Sequence, residues 1–112
     1  MTFLTLDTVQ QAAREIIEEF DEDYVYEKDE LGFCHYMRDG QPSCLVGRIF
    51  HRLGFPPDIL VELEGVGPGT MFYRDGWEAG NGVISFLTDL QINQDAGRPW
   101  GEAYRKACNG EC

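Results

Sequence analysis

Positive charge is scarce in this chain: nine Lys and Arg stand against 20 Asp and Glu, a net charge of −11 over 112 residues. That balance sets the protein against direct binding to nucleic-acid backbones and anionic membrane surfaces, and favours basic surfaces on other proteins. Long apolar runs are missing too. Nothing approaches the roughly 20 residues needed to cross a bilayer, and the start, MTFLTLDTVQQ, has neither the basic region nor the apolar stretch of a signal peptide. The expectation is a cytoplasmic protein, in which its four cysteines stay as thiols and act mainly in packing. Internal repeats and linkers are absent as well, so residues 1–112 are expected to form one domain.

What is present suffices for a core: 43% hydrophobic residues, with seven Phe, five Tyr and two Trp. Leu6, Val9, Ala13, Ile16, Ile17 and Phe20 recur at the spacing of one helix face, predicting a helix over 5–20. Thr5 is its expected cap, Leu4 and Val9 its hydrophobic staple, and Asp7 lies where the helix dipole favours an acid. Tyr24 to Tyr26 and Phe33 to Met37 read as two short strands, a hairpin over 24–37. Ser43 is the expected cap of a helix over 44–53, ended by Gly54 and Pro56–Pro57. A short helix over 57–64, a Gly-rich loop over 65–82, helices over 83–94 and 99–107, and a frayed tail over 108–112 complete the reading. The fold class is α+β, predominantly α: four to five helices with a small two-stranded antiparallel hairpin. Leu6, Val9, Ile16, Ile17, Leu45, Ile49, Phe50, Phe86, Leu87 and Leu90 are the expected core.

The segment GFCHYMRDGQPSCLVGRIFHRLG concentrates Cys34, His35, Cys44 and His51, with Cys108 and Cys112 further on. Their spacing matches no zinc module. Neighbouring strand residues such as Cys34 and His35 point to opposite faces, and His51 lies about two helical turns beyond Cys44. No metal and no cofactor are expected. Cys44, in the first turn of a helix, could act as a nucleophile with His35 as its base, since unpaired N–H groups stabilise a thiolate there. The competing reading, which we prefer, places Cys34 and Cys44 in the joint between hairpin and helix, because Cys44 opens an apolar face continued by Leu45, Ile49 and Phe50. The loop EGVGPGT lacks the Gly-Lys-Ser/Thr of a phosphate cradle, and Pro68 removes an N–H donor. No set of nucleophile, base and orienting group stands out, so the chain is not expected to be an enzyme.

The charge is lopsided. Residues 1–30 hold ten acids against Arg14 and Lys28, a balance of −8, while the remainder contributes only −3. Glu15, Glu18, Glu19 and Glu22 recur on the helix face opposite the apolar stripe, and Asp21 and Asp23 extend the row. An acidic stripe of this kind is either a solvated face or a surface for a basic partner.

Across YVYEKDELGFCHYMRDGQPSCLVGRIFHRLG and LQINQDAGRPWGEAYRKA the sequence resembles a family of small proteins of unknown function encoded by actinobacteriophages. More distantly it is similar to an actinobacterial domain of unknown function in which a Cys-started helix precedes a segment like NQDAGRPWGEA. The likeness runs from Ala12 to Ala107 and brings no catalytic residues with it. It implies a phage accessory protein acting in the cytoplasm of a bacterial host. Joined to the acidic stripe, it suggests binding to a host protein with a basic surface, as an acidic mimic in host takeover or anti-defence. The alternatives are a small-molecule or nucleotide binder, using a cleft between the glycine loop and Trp77, and a thiol-dependent enzyme using Cys44.

Overall fold

The computed structural model describes residues 2–27, 35–62, 67–73 and 77–108. Among these the order is β1 (Thr2–Leu4), α1 (Leu6–Phe20), β2 (Met37–Arg38), β3 (Gln41–Pro42), α2 (Leu45–Arg52), α3 (Pro57–Glu62), a 3₁₀ helix (Pro68–Tyr73), β4 (Trp77–Ala79), α4 (Val83–Asp95) and α5 (Trp100–Ala107). Five α-helices and a small antiparallel pair make the fold α+β and mainly α. No helix among the described residues is long and apolar enough to cross a membrane.

α1 forms where its periodicity requires. Thr5 caps it, its Oγ1 accepting the Thr8 N–H at 3.2 Å, and Val9, Ala12, Ala13, Ile16 and Ile17 bury one stripe. That stripe meets Leu45, Val46, Ile49 and Phe50 of α2, and Val83, Phe86, Leu87 and Leu90 of α4. Each large aliphatic or aromatic side chain so buried contributes about 1.5 to 3 kcal/mol. Of the expected core only Leu6 is less than fully buried. α5 packs along α4 and adds Trp100, Ala103 and Tyr104.

Several local expectations are corrected. The antiparallel pair is not formed by Tyr24–Tyr26 with Phe33–Met37. It joins Met37 to Pro42 and Arg38 to Gln41 around Asp39 (φ 54°) and Gly40 (φ 78°). Asp-Gly with both residues left-handed is the two-residue hairpin turn whose twist suits its strands. Tyr24 and Tyr26 spend their rings elsewhere. Tyr24 meets Trp100 edge-on at 4.5 Å, and its carbonyl accepts the Trp100 N–H at 2.8 Å, while the hydroxyls of Tyr26 and Ser43 share a hydrogen bond of 2.6 Å. Ser43 is thereby taken, and Cys44 caps α2 in its place, with Sγ accepting the Gly47 N–H at 3.4 Å. The second strand expected over Phe33 and Cys34 lies outside the described residues.

The Gly-rich stretch is not all loop. It carries the 3₁₀ helix and β4, and β4 pairs in parallel with β1 in the register Thr2–Trp77, Phe3–Glu78 and Leu4–Ala79. Cys108, the first residue of the expected tail, is buried and disulfide-bonded rather than a frayed thiol, and residues 109–112 of that tail lie outside the described residues. Cys44 keeps its thiol.

Candidate functional site

The acidic row follows from the amphipathic character of α1. One stripe is consumed by the core, so Glu15, Glu18 and Glu19 are held outward on a rigid helix, and all three are exposed. The helix ends at Asp21, whose N–H reaches the Ile17 carbonyl at 2.7 Å at φ 130°. Its carboxylate accepts the Asp23 N–H at 3.2 Å. Asp21 is therefore a turn-builder as well as a charge. The carbonyl of Glu22 accepts the Gly101 N–H at 2.9 Å and that of Tyr24 the Trp100 N–H, so this turn satisfies the first amides of α5. Glu22 and Asp23 remain exposed at that corner.

Tertiary structure then divides the row. Arg52, in the last turn of α2, places one nitrogen 3.3 Å from Glu15 Oε1 and pairs its other terminal nitrogen with Glu19 Oε2. Glu15 also accepts from Gln11 Nε2 at 3.0 Å. The Gln11 hydrogen bond, followed by Arg52, holds the Glu15 carboxyl below its ordinary pKa, and the hydrogen bond that Arg52 donates to Glu19 pushes the Arg52 pKa up. On the other flank Arg14 donates to Tyr104 Oη at 2.8 Å and to Gln11 Oε1 at 2.6 Å, and Arg105 stands 3.9 Å from Glu22. Glu18 and the Asp23 carboxylate have no cationic partner among the described residues. Side-chain exposures of 48% for Glu15, 55% for Glu19 and 32% for Arg52 put the pairs in solvent, where water and salt screen them. They shape the field more than they stabilise the fold.

Arg52 escaped sequence reasoning. Its place in the last turn of a helix suits a cation beside the dipole, but nothing local assigns it to Glu15 and Glu19. Two hollows flank the Glu15–Arg52–Glu19 cluster. A groove of about 450 Å³ is lined by Asp7, Thr8, Gln11, Arg14, Glu15 and Arg52, over Ala12 and Leu53. A niche of about 120 Å³ lies on the other side, toward Arg48 and His51.

Cys44 is fully buried; its N–H donates to the His35 carbonyl at 2.8 Å and its Sγ lies 3.9 Å from Gln91 Oε1. His51 is exposed at the far end of α2. No group of three His, Cys, Asp or Glu among the described residues is arranged to hold a metal, and Cys34 and Cys112 lie outside them. Trp77, the expected wall of a ligand cleft, packs against Phe55 with ring centres 4.6 Å apart. Compared with protein families, curated proteins and solved structures, the chain shows no match.

Proposed function

We propose that this chain is a small acidic binding protein whose α1 face docks on a basic surface of another protein. The observation that carries the reading is the presentation of the acids: the buried stripe of α1 fixes Glu15, Glu18 and Glu19 outward, and the capped turn fixes Asp21, Glu22 and Asp23 beside them. Neighbours three and four apart stand about 5 to 6 Å from one another, a row of charge of the kind basic grooves meet along a nucleic-acid strand. Glu18 and Asp23 offer charge with no cationic partner among the described residues. Glu15 and Glu19, which hold Arg52, are suited to exchanging one guanidinium for another. On the resemblance to actinobacteriophage proteins, the partner is a host protein and the setting a bacterial cytoplasm. That compartment is reducing, so binding is expected to persist with the Cys108 disulfide opened.

The test is affinity capture from an actinobacterial lysate with the wild type and with Glu15, Glu18, Glu19 and Glu22 all reversed to Lys. A captured protein that is lost on charge reversal, and that releases as salt is raised, supports the reading. Capture indifferent to both shows that the acidic face is not the docking surface. Thiol chemistry at Cys44 is disfavoured by its burial, since a reactant reaches it only after the start of α2 opens.

A further inference from the structure

The chain has few bases, yet three cationic or titratable side chains, Arg48, His51 and Arg52, line the 120 Å³ niche between the end of α2, Ile16, Glu19 and Phe20 of α1, and Pro42. Arg48 is held in place. Its Nε donates to the Ser43 carbonyl at 2.8 Å, and its guanidinium carbon lies 4.5 Å above the centre of the Phe20 ring. Because Phe20 also lines the niche, that end of Arg48 is at its wall. The two terminal nitrogens of Arg48, and the His51 ring, have no hydrogen-bond acceptor among the described residues. A guanidinium positioned by its Nε and by stacking keeps its outer donors in the planar fork that matches two oxygens of one anion. Glu19 lies on the same wall, and with Glu15 it matches Arg48 and Arg52 in formal charge, so a grip on an anion rests on the outer Arg48 nitrogens and on His51 rather than on a local excess of positive charge.

We infer that this niche is a binding site for a phosphate-type oxyanion, gripped by the outer nitrogens of Arg48 with His51 as a further donor. The volume sets the class. At about 30 Å³ per water the niche has room for roughly four, which suits one tetrahedral anion. A drug-sized ligand needs at least about 300 Å³, so anything attached to the phosphate lies outside. The site adjoins the acidic face, with Glu19 and Arg52 common to both, and goes beyond docking by that face: in a protein of net charge −11 an anion is held where the few cations are gathered and fixed.

The experiment is a titration of the whole chain, in phosphate-free buffer at matched ionic strength, with inorganic phosphate, adenosine 5′-monophosphate and, as control, chloride. It is followed by ¹H–¹⁵N shifts of the Arg48 Nε–H and of the amides of residues 48–52. Saturable shifts with phosphate, with Kd on the order of millimolar, are expected, and none of that form with chloride. Equal affinity for the two phosphates identifies a site for the free ion, and tighter binding of the nucleotide a site for a phosphomonoester. Either supports the proposal. Arg48→Gln should raise Kd at least tenfold and His51→Gln about threefold. Shifts that match those of chloride, or an Arg48→Gln Kd within twofold of wild type, overturn it. Should Arg48→Gln lose its dispersed spectrum, the exposed His51 decides, and an unchanged Kd in His51→Gln overturns the proposal.

Discussion

Replacing Gln94 by Leu tests how the N-terminus of α2 is held. Gln94 is 1% exposed, and its Oε1 accepts the N–H of Leu45, the first residue of α2, at 2.8 Å. Its Nε2 donates to Asp95 Oδ1 at 3.0 Å, and Gln91 reaches the same oxygen at 2.8 Å. Leu fills nearly the same volume and is as good a helix former, so the substitution removes the hydrogen bond without opening a large cavity. Leu45 is itself fully buried, which leaves its N–H without water. The cost then includes desolvation of that donor, about 1 to 3 kcal/mol. The Asp95 carboxylate keeps Gln91 and is half-exposed, so its loss adds little. We expect about 2 kcal/mol of destabilisation in urea unfolding with unchanged m, and for a chain of this size a fall in Tm of about 8 °C. A change below about 0.5 kcal/mol would refute the reasoning, because it would mean that the Leu45 amide is satisfied without Gln94.

Other substitutions address other joints. In Gly47→Ala the new methyl would lie 2.7 Å from Tyr36 Cα and 2.8 Å from its carbonyl carbon, closer than real side chains come to backbone; a loss of about 3 kcal/mol or more is expected, read from the urea midpoint. The Glu15 carboxyl should titrate below the ordinary 4.5. Its pairing therefore contributes above that value and is lost as pH falls through the depressed midpoint; by carboxyl NMR, Gln11→Ala should raise the midpoint in low and high salt, and Arg52→Gln mainly in low salt. With Ellman's reagent and peptide mapping, Cys44 should react only on unfolding, at a rate tracking global opening, whereas Cys108 should require prior reduction. Rapid labelling of Cys44 in the native state would show that the start of α2 is open.

The sequence alone determined the helices and the sign of the surface. α1, α4 and α5 fall where apolar residues recur every three to four positions, and that spacing is local, so Val9, Ile16, Leu87 and Leu90 declare their burial without reference to the rest of the chain. The acids of α1 face outward by the same rule. What the tertiary structure decided are the pairings between distant segments. Three residues of β1 carry no periodic signal, and only the packing of α4 brings Trp77–Ala79 alongside them. Ser43 and Cys44 are both chemically able to cap α2, and the choice was made by Tyr26, which occupies the Ser43 hydroxyl. Whether the acidic row is one field or two likewise turned on Arg52, because a helix crossing sets which cation reaches which carboxylate. Composition fixes how much charge there is; only the packing of α2 against α1 fixes which carboxylates Arg52 pairs.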